Sequence, residues 1–400
     1  METTIINKTS FNEERGNCLE KQNAAIFISL GKKETEVDRT FLNEVIKALW
    51  RSKKTLVATG AGISVSAGIP DFRSENGLYN LVKERYPKVI MKGKDLFDAN
   101  VFRDINSSQV FFSFMAELKL LIDKATITPT HTFIKWLEEE KKLLRCYTQN
   151  IDCLEKKLNM NSQLDKKSKN VNKIVQVHGD MDYVFCVICR ANFDFNQEVI
   201  DIFKGGKAPS CSSCELKSEE RERSGRRGLK EGFLRPNIVL YNEHHTNGEL
   251  ISEFISHDMR RKPDLMIVIG TSLKIVGMKN LVKEMAKKVH EFKNGKVILI
   301  NKIELGKEWE EVFDYIILAD CDQACTKLKN GYKIYNEQVI KELQAKENKK
   351  PSKTKNKNSN ANLKFKMVKS TITVQKTKLF QTPLGGNIKE SPAALLNNGI

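Results

Sequence analysis

From Arg39 onward, apolar residues gather in short runs separated by longer amphipathic stretches: 56–59, 143–148, 174–177, 237–241, 265–270, 297–301 and 315–318. Short apolar runs bounded by polar turns read as strands buried on both faces, and the stretches between them have helical spacing. This alternation predicts an α/β fold, a doubly wound Rossmann-like parallel sheet. Each run that carries a motif carries it at its carboxyl end, where ligands sit in open sheets of this kind. Two segments break the pattern. Residues 159–173, rich in Lys, Asn and Ser, read as a surface loop insertion. Residues 183–232 hold four cysteines and a charged block at 218–227, and read as a small module inserted into the sheet domain.

The ends differ from this body. Residues 1–38 mix Asn, Glu and Lys around a short apolar patch at 24–30, without a sustained period, and are expected to form a poorly ordered extension. The folded domain is then 39–340. From residue 341 the chain turns to Lys, Asn, Ser and Thr, with too few apolar residues to offset its ordering entropy, and is expected to be a disordered basic tail. Most of the net charge of +17 belongs to that tail: from Lys341 on there are 13 Lys, no Arg and 3 acidic residues, which leaves +7 on the body. A surplus of that size suits an anionic cofactor or a chromatin partner, and equally ordinary solubility. The Lys-rich run at 349–357 suits a nuclear import signal, a weak DNA contact or a solvated linker. Nine cysteines without a secretory leader point to a reducing compartment, where paired cysteines hold metal more often than they form disulfides. No apolar run approaches membrane-spanning length, so no membrane partner is expected.

The first strand run leads into Gly60-Ala61-Gly62-Ile63-Ser64 and on to Pro70-Asp71-Phe72-Arg73. Glycines there let the backbone approach a pyrophosphate, and a following helix would offer unpaired N–H groups to it. The next run ends in Gln149-Asn150-Ile151-Asp152, whose amide and carboxylate groups can hydrogen-bond a ribose and a carboxamide; a strand-end Asx turn is the plainer reading. Val177-His178-Gly179 puts an imidazole at a strand tip, where it is a candidate general base. Cys186-Val187-Ile188-Cys189 and Cys211-Ser212-Ser213-Cys214 have the pairing expected of one structural Zn²⁺ with no open position for substrate. Two disulfides or a DNA-reading zinc ribbon are the alternatives. Gly270-Thr271-Ser272 offers further donors to phosphate or ribose, and Asn301 ends the run before it reaches polar sequence.

Taken in order, these motifs over roughly residues 40–330 resemble those of the sirtuins, NAD-dependent protein lysine deacylases. The resemblance implies that Gly60, Ala61, Gly62, Ile63 and Ser64 pack on NAD, that Asp71 orders the loop, that Phe72 screens the reacting carbon, and that Arg73 lies toward phosphates and ribose. It implies that Gln149, Asn150, Ile151 and Asp152 hold the nicotinamide side, that Gly270, Thr271, Ser272, Asn301 and Cys321 hold the adenine side, and that His178 with Asn150 is catalytic. Val239, Leu240 and Tyr241 would line the acyl-lysine tunnel beside a strand that pairs with the substrate peptide. Cys153 stands where many members have glycine, and Tyr241-Asn242 replaces the commoner Phe-Gly. His131 is expected to be packed or capped, and His244 and His245 to lie on the surface. The resemblance runs closest to fungal members that deacetylate a core lysine of histone H3, which implies a nuclear enzyme acting on chromatin. Mono-ADP-ribosyl transfer, long-chain deacylation or desuccinylation, and a non-enzymatic chromatin adaptor are the rival functions.

Overall fold

A computed structural model describes residues 25–31, 34–87, 89–90 and 92–348. In chain order the elements are β1 (Ile26–Ser29), α1 (Glu36–Arg51), β2 (Thr55–Thr59), α2 (Leu78–Arg85), α3 (Ile105–Lys124), α4 (Pro129–Glu139), β3 (Leu143–Thr148), α5 (Leu154–Lys157), β4 (Ile174–Gln176), β5 (Gly179–Cys186), β6 (Asn192–Asp194), α6 (Gln197–Lys204), α7 (Ser212–Arg223), β7 (Leu234–Ile238), α8 (Gly248–Arg260), β8 (Leu265–Ile269), α9 (Val276–His290), β9 (Lys296–Asn301), β10 (Tyr315–Leu318) and α10 (Cys321–Asn348). The chain divides into two compact units, 1–333 and 334–400. Of the second, the described part is the continuation of α10 to Asn348.

Seven parallel strands form one sheet in the order β1-β10-β9-β8-β2-β3-β4. Every residue of β2, β3 and β8 is buried, as expected for strands covered by helices on both faces. One face packs Leu56, Ala58, Met266, Val268, Val297, Leu299 and Ile316 against α8 and α9. The chain order reverses between β2, which neighbours β8, and β3 on its other side, so the loops leaving β2, β3 and β8 converge on one crevice. A second, antiparallel sheet, β6-β5-β7, joins α2, α3, α6 and α7 around a separate core that includes Leu96, Phe111, Met115, Phe203 and Leu234.

Four expectations need correction. Ile26–Ser29 is not part of an unordered extension: it pairs in parallel with Tyr315–Leu318 at the sheet edge, and α1 starts before the expected boundary at 38. The run at 237–241 is not a strand of the main sheet; the strand is Leu234–Ile238 and lies antiparallel to β5. The boundary at 340 falls inside α10, whose Lys, Glu and Gln residues are good helix formers. Residues 349–400, with the Lys-rich run and the expected disorder, lie outside the described residues, as do 1–24. Lastly, the glycine turn leads into two short 3₁₀ turns, Ala61–Ile63 and Val65–Ala67, rather than an α-helix. Gly68 at φ +88°, followed by Pro70, stops any longer helix there. No described helix is long and apolar enough to cross a membrane.

Candidate active site

The glycine turn packs directly on the turn that leaves β8. A Cβ on Gly60 would stand 2.7 Å from the Thr271 Cβ, and one on Gly62 would stand 2.8 Å from the Gly270 Cα and carbonyl oxygen. The two turns can meet only without side chains, and together they form a backbone-lined cradle. Gly270 itself has φ +63°, a conformation that favours glycine. The cradle continues through Thr271, whose hydroxyl accepts from Gln149 Nε2 at 2.7 Å, while Ser272 is exposed.

Beneath it lies a buried polar chain. Ser64 Oγ donates to Asp152 Oδ2 at 2.7 Å and accepts from Asn150 Nδ2 at 3.1 Å. Asn150, Asp152 and Ser64 are all buried, and Asn150 Oδ1 has no partner. An unsatisfied buried carbonyl beside a glycine cradle fits a ligand that carries its own N–H donor, as a carboxamide does. Ile151 is buried alongside and its carbonyl accepts from Met181 N.

His178 lies in the turn between β4 and β5. Its Nδ1 lies 3.1 Å from the Gln149 carbonyl oxygen, an acceptor only, so Nδ1 carries the proton and Nε2 keeps its lone pair. Burial pushes its pKa below 6.5, and a nearby His245 pushes the same way, against the opposing Gln149 contact. The ring is therefore neutral at pH 7 and able to take a proton.

The loop after the cradle is ordered by Asp71, whose Oδ1 accepts from the backbone N–H groups of Arg73 and Ser74, both at 2.7 Å. Phe72 packs edge-on against Tyr79 and Phe97, with centroids 5.7 and 5.4 Å away. Arg73 donates to the Tyr241 hydroxyl at 3.0 Å, and that hydroxyl also shares a hydrogen bond with Tyr79 at 3.1 Å. The substituted tyrosine at 241 thus ties the cofactor-side loop to the strand exit. Val239 N donates to the His178 carbonyl at 2.9 Å, and Tyr241 bonds through its own backbone to Phe97 and Ala99. Val239, Leu240 and Tyr241 consequently run between His178 and the 97–99 segment. At the far end of the cradle Asn301 Nδ2 donates to the Ile303 carbonyl, and the buried Cys321 starts α10.

The four predicted metal ligands meet in the small module. Cys186 ends β5, Cys189 lies in the following turn, Cys211 caps α7 and Cys214 sits in its first turn. All four Sγ atoms lie within 4.8 Å of one another, with Cys186–Cys214 and Cys189–Cys211 both at 3.6 Å. A tetrahedron of thiolates about 2.3 Å from Zn²⁺ has edges near 3.7 Å. The backbone N–H groups of Ile188 and Cys189 both point at the Cys186 Sγ at 3.4 Å, which orients that ligand. None of the four is in a disulfide, so the group fits one structural Zn²⁺. The charged block is a solvated helix face, with Arg223 paired to Glu219.

Cys153 adopts φ +58°, the left-handed backbone that glycine takes more readily. Its thiol is buried, accepts from Gln176 Nε2 at 3.1 Å and is held in the protonated form by burial, which raises its pKa. His131 is buried in the first turn of α4, where the N-cap Thr128 hydroxyl accepts from its backbone N–H and lies 2.7 Å from its ring Nδ1. His244 is exposed, as expected. His245 is not: its Nε2 is buried without a partner and its pKa is lowered by burial. Its position beside His178 had no signal in the sequence beyond adjacency to the substrate segment. Glu155 was also passed over; it is fully buried with its pKa pushed up to about 8 by burial and by Asp152, and it lies with His131 under the polar chain.

Comparison with known proteins agrees with this geometry. Residues 60–277 match the Sir2 family model. The NAD-dependent histone deacetylase HST3 of Candida albicans is 44% identical over 72% of this chain and 61% of its own length. HST3 of Saccharomyces cerevisiae is 40% identical over 74% of this chain and 69% of its own. The chain therefore spans about two thirds of the length of these relatives. A solved Sir2 enzyme structure superposes with a TM-score of 0.54 at 25% identity, covering 74% of this chain and 98% of the other. On the matched motifs, the fold and these relatives, the chain belongs to the Sir2 family.

Proposed function

We propose that the protein is an NAD-dependent protein lysine deacetylase acting on acetylated histones, with histone H3 as the substrate and the nucleus as its place of action. The observation that supports this most is the juxtaposition of a neutral His178, its Nε2 free, with the buried Ser64–Asn150–Asp152 chain under a glycine cradle. NAD, when bound, would supply the ribose that loses nicotinamide and takes the acetyl group as an ester on a hydroxyl oxygen, with one water consumed and the free lysine amine released, giving O-acetyl-ADP-ribose.

The chain's own residues do the rest. Gly60, Ala61, Gly62, Gly270, Thr271 and Ser272 hold the phosphates and adenine-side ribose by backbone approach, with Asn301 and Cys321 at the adenine end. Asn150 and Asp152, locked by Ser64, orient the carboxamide. Phe72 shields the reacting carbon from water, and Arg73 is held beside it by Tyr241. His178 takes a proton from a ribose hydroxyl at Nε2, while its Nδ1–H bond to Gln149 fixes the tautomer. Val239, Leu240 and Tyr241 receive the acetyl-lysine, and the Zn²⁺ holds the module without chemistry. Chromatin association through the basic tail, as a weak DNA contact, belongs to this reading. Histone names on the two HST3 relatives support the substrate class.

The test is mass spectrometry of the full chain with acetylated histone H3 peptides, with and without NAD, beside His178→Ala. NAD-dependent deacetylation together with O-acetyl-ADP-ribose, lost in the variant, is the expected result. Peptides that gain ADP-ribose would establish the transferase instead, and no reaction with zinc-loaded protein would favour the adaptor.

A further inference from the structure

The insertion at 159–173 takes no part in the cradle. It forms one wall of a pocket of about 170 Å³ at the opposite, amino-terminal edge of the parallel sheet. Seven of the ten residues lining this pocket are Lys or Arg, and none is acidic. Lys53 and Lys54 come from the approach to β2, Lys141 from the approach to β3, and Arg261 from the end of α8. Lys169 and Lys173 come from the insertion, and Arg145 from β3 forms the floor.

Cations at this edge have an ordinary explanation, because α1, α4 and α8 all end here and helix carboxyl ends attract positive charge. Part of the charge is used in that way: Lys54 Nζ donates to the Arg261 carbonyl at 2.7 Å. Two further cations are neutralised, Arg145 by Asp258 and Lys169 by Glu253. The side chains of Lys53, Lys54, Lys141, Lys173 and Arg261 form no ion pair among the described residues, although the Asp264 carboxylate accepts from the backbone N–H groups of Lys53 and Lys54 at 2.8 and 2.9 Å. Several are nonetheless fixed in place. Lys173 Nζ donates to the Leu143 carbonyl at 3.1 Å, and Arg261 to Asn170 Oδ1 at 3.1 Å. The insertion is itself anchored, since Arg145 donates to the carbonyls of Lys169, at 2.6 Å, and Asn172. Burial lowers the Lys173 pKa, Glu138 and Asp258 oppose the shift, and the charges of Arg145 and Arg261 add to it.

The volume equals that of roughly five or six liquid waters, enough for one phosphate group and its first ester atoms. Donors converge on it from four chain segments, an arrangement that suits a tetrahedral oxyanion with acceptors on every side better than a planar carboxylate. We propose that this pocket binds a phosphate group, presented by a nucleic-acid backbone or as a free phosphoanion, at the edge of the sheet opposite the dinucleotide site. The assignment does not depend on the deacetylase reading.

The test compares the full chain with the triple variant Lys53→Gln, Lys141→Gln, Arg261→Gln, all three exposed and remote from the cradle. Pyrophosphate binding is read by calorimetry, and binding of a labelled 20-base-pair duplex by fluorescence anisotropy over a range of salt. The difference between the proteins reports this pocket, because the glycine cradle and the tail are the same in both. Pyrophosphate affinity at the pocket should fall at least tenfold, with melting temperature and NAD-dependent turnover unchanged. If the backbone of nucleic acid is the source, duplex affinity falls as well and the slope of log K against log salt shrinks by about 2–3. If a free phosphoanion is the source, the duplex curve stays where it was while pyrophosphate binding is lost. Unchanged pyrophosphate affinity overturns the proposal, and so does displacement of pyrophosphate by a glutamate-rich peptide at equal concentration.

Discussion

Replacing Gly62 by alanine tests the cradle at its tightest point. The added Cβ would stand 2.8 Å from both the Cα and the carbonyl oxygen of Gly270 and 3.1 Å from its carbonyl carbon. These are backbone atoms, and Gly270 is held by its own N–H bond to the Ile300 carbonyl at 3.0 Å, while Gly62 N donates to the Gly270 carbonyl at 2.9 Å. Neither side can yield as a flexible side chain would, so the turns leaving β2 and β8 must separate. Overpacking of this kind costs about 1–3 kcal/mol. Because the displaced atoms form the phosphate-facing wall, the cost should appear as a rise in the KM for NAD of roughly 5- to 150-fold, by the factor of ten per 1.4 kcal/mol. Gly277→Ala is the matched control: nothing lies within 4 Å of its Cβ, and it sits in the first turn of α9. There alanine should leave KM unchanged and stabilise by up to about 1 kcal/mol. Steady-state kinetics over NAD concentration, with thermal melts of both variants, decides the matter. A Gly62→Ala enzyme with the parent's KM and melting temperature would refute the close-packed cradle.

The pH dependence of kcat/KM should show an acid limb with a midpoint below 6.5, because the neutral imidazole is the active form and burial lowers its pKa; activity is full above that midpoint and lost as pH falls through it. A limb centred above 6.5 would contradict the half-buried, uncharged His178. Stripping Zn²⁺ with a chelator, or Cys186→Ala, should abolish the thermal transition of the small module and release one metal per chain by elemental analysis, and an active metal-free protein would exclude a structural role. Asp258→Ala leaves the buried Arg145 without the carboxylate that accepts from it at 2.6 and 2.9 Å and also from Tyr147 at 2.8 Å. The expected loss is about 3–5 kcal/mol, read as a lower denaturant midpoint, with little change in KM for NAD in the folded fraction.

The strands that carry chemistry were legible because burial on both faces makes them continuously apolar, and the glycine, Gln-Asn-Ile-Asp and His-Gly motifs mark where they end. What the apolar pattern missed has a physical reason in each case. Ile26–Ser29 is four residues long at the sheet edge, and its pairing with β10 is a long-range contact invisible to local periodicity. The strand Leu234–Ile238 was misplaced because Arg235 is buried within it, stacked 4.6 Å over the Phe185 ring and paired with Glu243. A charged residue in that position reads as the outside of a strand when only its side chain's polarity is considered.

The same blindness to paired charge governs how much of the site could be read. The glycines, His178 and the four cysteines announce themselves by type and spacing, because backbone approach, a titrating ring and metal geometry each demand particular residues. His245, Glu155 and the Arg145–Asp258 pair do not, since what distinguishes them is burial, and burial of a polar group follows from the partners that tertiary folding brings to it. Arg145 shows how far this reaches. It is an interior residue of a central strand, yet its guanidinium holds Asp258 of α8 and the backbone of an insertion that sequence alone treats as a surface loop. One buried side chain thus fixes both the wall and the floor of the cationic pocket, which is why a segment with no motif of its own can still present an ordered array of donors.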